Sequence, residues 1–305
     1  MKNILSSASS AVIIALVTGG ILMVSDLPRR AEAAPDSVAI ASYNVDSAWR
    51  QHTDPAIPGW DQRVRGISQI INSAQPDVFG VQEAANINVD GHYYSQAADI
   101  GTLTSYVRYQ PPDGATVPIP IFYRSSKYNL TGSGFKVFEN GGYPNYGRAM
   151  TWIRLQSKTS GKSFFVINTH LMVGANNETL RAQESVKLAA EIKRINPTGL
   201  PAFVTGDFNA TASPAAPQTL QLGKIGFGDS FALTANKVHP DLDTFTGYGA
   251  PVAGNFRIDQ IYAGAAAEYQ LRISAWANIV PSPSQKVGGV SPSDHDMIEI
   301  QAIFN

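Results

Sequence analysis

The sequence predicts an α/β fold, on three observations. Short apolar, β-branched runs recur along the chain, segments with helical periodicity lie between them, and no internal repeat or low-complexity tract breaks the alternation. The first strand is expected at 37–44, where small and β-branched residues run up to Asn44. A helix follows over 60–74, with Val64, Ile67, Ile70 and Ile71 on one face and Pro76 just past its end. The run 78–82 reads as a buried strand, and 119–123 as another after a Gly- and Pro-rich loop at 110–120. A second such loop is expected at 132–147. Strands are then predicted over 149–155 and 163–168, and a helix over 179–195 with Leu180, Val186, Leu188, Ala189 and Ile192 on its apolar face and Pro197 beyond its end. Runs at 202–205, 260–262 and 297–304 complete the strand set, with a proline-rich loop at 281–292.

Residues 1–33 have the form of an export leader: Lys2 near the front, an apolar run from Ala11 to Val24, and Ala31-Glu32-Ala33 as a small-x-small cleavage site. A membrane anchor is the competing reading, but Thr18-Gly19-Gly20 interrupts a run already shorter than the ~20 residues a spanning helix needs. The expectation is a cleaved signal peptide at 1–33, a single domain at 34–305, and a secreted or periplasmic product. Removing Lys2, Arg29, Arg30, Asp26 and Glu32 from the 23 basic and 24 acidic side chains leaves a mildly acidic protein. Such a chain has no global pull on polyanions, so nucleic-acid binding would need a local basic groove or a metal ion among clustered carboxylates. The absence of cysteine excludes disulfides, thiolate ligands and a cysteine nucleophile.

Chemistry is concentrated in six short polar clusters that break out of the ends of apolar runs: Tyr43-Asn44-Val45-Asp46, Gln82-Glu83, Asn168-Thr169-His170, Gly206-Asp207-Phe208-Asn209, Arg257-Ile258-Asp259 and Ser293-Asp294-His295. Clusters at strand ends converge when the strands lie side by side. Glu83 ends a buried-strand run, so its carboxylate must reach solvent, be paired, or hold a hard divalent cation. Asp207 and Asn209 are two apart, on one side of an extended chain. The acid can orient a water or bind metal and the amide can hold a phosphate oxygen; an Asx turn closing the strand is the bland alternative. Of the five histidines, His52, His92 and His239 lie in loop-like sequence, whereas His170 and His295 end motifs. His295 follows Asp294, with Asp259 at the start of another strand; a histidine oriented by a carboxylate can move a proton at neutral pH. The oxygen-rich set, with no HExxH and no close histidine pair, points to Mg²⁺ or Mn²⁺ rather than zinc. GxSxG and Walker-type loops are absent, which leaves serine-hydrolase and NTPase chemistry without residues.

In this order YNVD, QE, NTH, GDFN, RID and SDH resemble the endonuclease/exonuclease/phosphatase superfamily, which includes pancreatic-type deoxyribonucleases, inositol polyphosphate 5-phosphatases and bacterial sphingomyelinases. The run from Trp60 through Glu83, IFYR at Ile121 to Arg124 and TFTGYG at Thr244 to Gly249 look like its bacterial secreted branch. The resemblance implies a two-layer β-sandwich flanked by helices with the site at one end of the sheets. It implies that Asn44 and Glu83 hold the metal with Asp46 nearby, that His170 and Asn209 contact the scissile phosphate, and that Asp207 positions the attacking water. Asp259 would orient His295, and Asp294 would support the metal or the water. Many relatives carry a glutamate just before the IFYR-like strand, paired with the NTH histidine; here that stretch is Thr116-Val117-Pro118-Ile119-Pro120. Either Asp113 substitutes, or His170 has a lower pKa and acts as a neutral hydrogen-bond donor.

The expected activity is therefore metal-dependent phosphate-ester hydrolysis, by in-line attack of a water activated by Asp207 or His295. Nucleic acid is the leading substrate, with Tyr143, Tyr146, Arg148 and Arg181 as groove residues. A lipid or sugar-phosphate phosphoesterase (phospholipid or inositol phosphate) is the alternative, with the apolar stretch 117–121 as a membrane-facing element. A secreted binding or toxin-like protein that has lost turnover is the reading from another class. No obligate protein partner is evident, and a monomer is expected.

Overall fold

The structure, a computed structural model, describes residues 35–109, 111, 117–138, 148–254 and 256–305. The expected signal peptide therefore lies outside the described residues, as do Asp113, Tyr143 and Tyr146. In chain order the elements are β1 (Asp36–Asn44), α1 (Arg50–Thr53), α2 (Trp60–Ala74), β2 (Val78–Gln82), β3 (Asn86–Val89), β4 (His92–Ser95), α3 (Gln96–Thr104), β5 (Val107–Tyr109) and β6 (Ile121–Tyr123). The middle of the chain supplies β7 (Tyr128–Val137), β8 (Ala149–Ser157), β9 (Ser163–His170), α4 (Glu178–Ile195), β10 (Ala202–Asp207) and α5 (Pro217–Gly223). It closes with β11 (Phe227–Asp229), β12 (Lys237–Val238), β13 (Asp259–Gly264), β14 (Arg272–Ile279) and β15 (Met297–Phe304).

Two mixed sheets stack face to face, with strand orders β12-β14-β15-β1-β2-β6-β5 and β11-β13-β10-β9-β8-β7; β3 and β4 form a separate hairpin. Strand alternation explains the layering. In β1, Val38 and Ile40 face the second sheet while Ala41 and Tyr43 face the helices; in β9, Phe164 and Val166 face inward while Phe165 and Ile167 face out. The inner faces form one core with Phe203, Ile261, Trp276, Ile298 and Ile300. A second core lies between the first sheet and α2 and α3, where Val64, Ile67, Ile70 and Ile71 of α2 are buried as its periodicity predicts. The third lies under α4 and α5. This is the mixed α/β sandwich flanked by helices that the resemblance implies, with α on both outer faces.

Two local expectations are corrected. Residues 132–137, read as loop, are the second half of β7, a strand kinked by a register shift between Leu130 and Gly132. A Cβ at Gly134 would lie 2.8 Å from the Trp152 indole, so glycine is there to let the ring cross the strand rather than to make a turn. In α4, Val186 is half exposed and Leu180 only partly buried; the covered face is Arg181, Glu184, Ser185, Leu188, Ala189 and Ile192. The other strands and helices of the expected set appear with their ends moved by at most a few residues; the eight-residue β14, the nine-residue α3 and several shorter elements are not in that set.

The inner faces grow polar toward one end of the sandwich. Every second residue reads Val38, Ile40, Ser42, Asn44 in β1; Val78, Gly80, Gln82 in β2; Phe164, Val166, Asn168, His170 in β9; and Phe203, Thr205, Asp207 in β10. Where hydrophobic packing stops, buried amides and hydroxyls join the sheets: Gln82 Nε2 donates to Asn168 Oδ1 at 2.6 Å and to Ser42 Oγ at 3.1 Å, and Thr205 Oγ1 donates to Asn168 Oδ1 at 3.1 Å. Asn168 Nδ2 donates to Val81 O and Pro120 O at 2.8 and 3.1 Å. A Cβ at Gly80 would lie 2.2 Å from Thr205 Oγ1, so only glycine permits this approach. One step further toward the same end come the ionisable residues.

Candidate active site

His170, Asp207 and Asp259 lie in one lateral row: Asp207 is in register with His170 across the parallel β9–β10 pair and with Asp259 across the antiparallel β10–β13 pair. The facing sheet supplies Asn44 at the end of β1, in register with Gln82, and Glu83 just beyond β2. Asp294 and His295 arrive on the segment before β15. Asp46, Glu83 and Asn209 all have positive φ (52°, 65° and 49°), and they are three of the nine non-glycine residues of this kind among those described. Each of these three carries backbone strain where its side chain turns into the site.

Asn44 is the joint between the sheets. Its Nδ2 donates to Glu83 Oε1 at 3.2 Å and to Asp207 Oδ2 at 3.1 Å, while its Oδ1 accepts from the Asp46 amide at 3.0 Å. Glu83 Oε2 accepts from the Ser47 amide at 3.2 Å. On the other sheet, Asp207 Oδ1 accepts from the Asn209 amide at 2.8 Å, and its Oδ2 lies 3.4 Å from His170 Nε2 and 3.8 Å from His295 Nε2. Burial pushes Asp207 up to about 6, partly opposed by His295. Asn209 Nδ2 donates to Leu171 O at 3.0 Å and lies 3.0 Å from His170 Nε2. With the amide so oriented, hydrogen bonding assigns the His170 proton to Nδ1. Burial, then Arg148 and His295, hold His170 well below the ordinary histidine range, which makes it neutral.

His295 is the opposite case. Burial alone would push its imidazolium down, but Asp259, Asp207 and Asp294 together hold it well above the ordinary range. Its Nδ1 lies 2.7 Å from Asp259 Oδ2, and Asp259 is itself fully buried, with its amide donating to Thr244 Oγ1 at 3.1 Å. The Phe245 ring stands edge-on to the imidazole, 5.0 Å between centroids. One imidazole held charged and one neutral, both beside Asp207, give the site a proton donor and a hydrogen-bonding group of the same chemical type.

Asp207, Asp259 and His295 bring one ligand atom each within 4.8 Å of one another, a cluster able to hold a divalent metal. In this arrangement the facing atoms of Asp259 and His295 are occupied by their own 2.7 Å hydrogen bond. A second acidic group is formed by Asp46, Glu83 and Asp294. Burial, then Asp294 and Glu83, push Asp46 up to about 7, and burial pushes Asp294 up as well, with Glu83 adding to it. Mutual repulsion among buried carboxylates is relieved by a divalent cation, so oxygen donors of this kind fit Mg²⁺ or Mn²⁺.

Several functional residues escaped the sequence. Tyr248, in the TFTGYG stretch, donates from Oη to Asp46 Oδ2 at 2.5 Å. Arg63, in the middle of α2, is fully buried and donates to Val45 O, Pro58 O, Asp46 O, Ser47 O and Pro292 O at 2.8–3.3 Å, tying together the two segments that carry Asp46 and Asp294. Arg181 does not line a groove: it is buried, and its Nη1 donates to Met172 O and Gly174 O at 3.0 and 2.7 Å. With Glu184, which accepts from the Met172 amide at 2.8 Å, it braces the loop that follows His170. Arg148 does stand at the site, lining a pocket with Glu83 and His170. The stretch 117–121 is buried at Val117, Ile119 and Ile121, so it is core rather than a membrane-facing element. No helix among the described residues is long and apolar enough to cross a membrane.

Solved structures share this architecture. An endonuclease/exonuclease/phosphatase family protein of Bacteroides thetaiotaomicron superposes with a TM-score of 0.72 at 21% identity, over 89% of this chain and 99% of its own. The mannosyl-6-phosphatase of Bacteroides thetaiotaomicron VPI-5482 superposes with a TM-score of 0.70 at 20% identity, over 88% and 100%. D. rerio TDP2, complexed with single strand DNA product, superposes with a TM-score of 0.65 at 18% identity, over 88% and 99%. No curated protein matches the chain by sequence. The sequence model of one family runs from residue 41 to residue 295, that is, from the middle of β1 to the histidine of the Asp259 pair. Every cluster described above from Asn44 to His295 lies within that span, and the chain belongs to the Endonuclease/Exonuclease/phosphatase family.

Proposed function

We propose that the protein is an exported, Mg²⁺- or Mn²⁺-dependent phosphodiesterase that hydrolyses nucleic acid and acts as a monomer. The observation that carries the reaction type is the convergence on Asp207 of a charged His295–Asp259 pair, a neutral His170–Asn209 pair and the amide of Asn44, next to a carboxylate cluster. Glu83 and Asn44, with Asp46 and Asp294 nearby, would hold a divalent cation, which would supply neutralisation of phosphate charge and polarisation of a phosphoryl oxygen.

The chain's own residues supply the rest. His170 and Asn209 stand beside Asp207, and a phosphate oxygen would take over one of the hydrogen bonds that the Asn209 amide makes to Leu171 O and His170. Asp207, ionised above about 6, takes the proton of the attacking water, and His295, held in its charged form, gives a proton to the departing oxygen as the phosphorus–oxygen bond breaks. Asp259 keeps the imidazole in the orientation that aims Nε2 at the centre. Positioning and charge neutralisation account for most of such catalysis.

Nucleic acid is favoured as substrate by the similarity to a family member bound to single strand DNA product and by aromatic side chains exposed around the centre, Trp49, Phe245 and Phe256. A sugar-phosphate monoesterase is the second reading, favoured by the similarity to mannosyl-6-phosphatase. The lipid reading lost its structural support with the burial of 117–121.

The deciding experiment offers the protein from Ala34 onward supercoiled plasmid, single-stranded DNA and RNA, sphingomyelin liposomes, an inositol polyphosphate and mannose 6-phosphate, each with Mg²⁺, Mn²⁺ or EDTA. Metal-dependent cleavage of nucleic acid is expected; phosphate release from the sugar phosphate alone would replace the first reading with the second. Export predicts that the protein recovered outside the cytoplasm begins at Ala34, which N-terminal sequencing reads directly.

A further inference from the structure

The pocket beside His170 has a mixed lining. Glu83, His170 and Arg148 share it with the apolar side chains of Trp49, Ala85, Pro118 and Val173. Trp49 and Val173 are 45% and 47% exposed, a large apolar surface to leave in water directly beside a charged catalytic centre. Ser47, the remaining polar residue of the lining, accepts from the Trp49 amide through Oγ at 3.3 Å, so the apolar part of the lining offers few hydrogen-bonding groups.

Trp49 is held in place despite its exposure. Its ring packs on His52 at 4.7 Å between centroids and 40° between planes, and His52 Nδ1 is 2.8 Å from Asp90 Oδ1 at the tip of the β3–β4 hairpin. The turn that carries Trp49 is the one whose Ser47 amide binds Glu83. A ring fixed in this way loses little freedom when a ligand stacks on it. Arg148 is close enough to depress the His170 pKa, and among the described residues no carboxylate pairs with it, which leaves its charge for a ligand anion. A phosphate at His170 thus shares its pocket with a cation and with apolar, aromatic surface.

The geometry points to this pocket as a nucleotide subsite: the base of the nucleotide whose phosphate reaches His170 stacks on Trp49 and packs on Ala85, Pro118 and Val173, while Arg148 takes the phosphate charge. This deepens and rests on the nucleic-acid reading above. It also specifies that the substrate is single-stranded at this position, because a base paired within a duplex has its faces covered by its neighbours.

The test compares wild type, Trp49→Ala, Trp49→Phe and Arg148→Ala on a single-stranded oligonucleotide and on the same oligonucleotide carrying one abasic nucleotide at the cleaved linkage. Stacking is worth ~1–3 kcal/mol per base, so Trp49→Ala should lose about ten- to a hundredfold in kcat/KM on the intact strand, with Trp49→Phe recovering most of it. On the abasic linkage Trp49→Ala and wild type should be alike, whereas Arg148→Ala should weaken both substrates equally. Unchanged cleavage of the intact strand by Trp49→Ala overturns the subsite, and so does an equal loss on both substrates, which would place Trp49 in the support of Glu83 instead. If wild type hydrolyses mannose 6-phosphate and no oligonucleotide, the nucleic-acid reading fails first and the subsite falls with it, an outcome separate from either of the others.

Discussion

Asn44 and Asp207, 163 residues apart, meet in a 3.1 Å hydrogen bond that crosses from one sheet to the other. The same amide nitrogen reaches Glu83, so a single side chain fixes the distance between the carboxylate cluster and Asp207. Replacing Asn44 with Asp removes both donors and sets a third carboxyl against Glu83 and Asp207. Turnover should fall about 10²- to 10³-fold, comparable to loss of one preorganised donor at a charged centre. Rate measured across a Mg²⁺ titration checks this; a variant restored to full rate by excess Mg²⁺ would confine Asn44 to metal affinity.

His295 should be the more costly loss on the proton-transfer side. His295→Ala is expected to lower turnover about 10²- to 10⁴-fold, and Asp259→Asn, which keeps the shape but removes the charge facing Nδ1, should lower it by a smaller factor. Oligonucleotides with an activated, weakly basic leaving group separate the roles. They should be cleaved with a much smaller penalty if His295 protonates the departing oxygen, and with the same penalty if it only orders the water.

Arg63 is expected to act on stability and on the site together. All five of its hydrogen bonds end on backbone carbonyls, and the one to Pro292 O spans 229 residues. Arg63→Lys cannot serve acceptors in so many directions and should cost about 2–4 kcal/mol, since buried carbonyls are left unpaired. Urea unfolding gives the loss directly, and unfolding midpoints within error of wild type would show that water replaces the guanidinium.

Glu299 offers a pH dependence remote from the carboxylate cluster. Burial pushes its carboxyl up to about 7, partly opposed by Gln301, and Oε2 finds no hydrogen-bond partner. The folded value exceeds the unfolded one near 4.5, so the protonated carboxyl supports the fold fully below about 4.5 and that support is lost as pH rises through about 7. Glu299→Gln, which stays neutral, should gain on wild type between these values and hold an advantage of about 1–3 kcal/mol at pH 8. Thermal midpoints at pH 4.5, 6 and 8 check the sign; a constant difference across the range would mean that the carboxyl is solvated in both states.

Much of the site was legible because strand chemistry is local. Reading every second residue of 37–44, 78–82, 163–168 and 202–205 and continuing past each end yields Asn44, Gln82, His170 and Asp207, and the two-residue period guarantees that they share the inner face. What stayed hidden depends on partners far away in sequence. Arg63 and Arg181 look like solvated helix charges, yet the carbonyls they satisfy belong to loops whose positions only the assembled sheets define. Gly132 and Gly134 look like a turn, because the indole that requires the small size of Gly134 is on the neighbouring strand, at Trp152. Tyr248 was visible only as part of a stretch, and its contact with Asp46 joins positions 202 residues apart.

The place of β15 has a consequence for when activity can begin. This strand, at the C-terminal end of the chain, lies between β14 and β1, with Ser42 of the first strand opposite Ile298 and Ile279 opposite Met297. Until it pairs, β1 has an open edge, and the segment before β15 that carries Asp294 and His295 is held by its contacts with residues 244–247, Asn44 and Arg63. A chain in which β15 has not paired leaves unsupported the β1 edge that ends in Asn44, so the hydrolysis proposed above would begin only once that pairing forms.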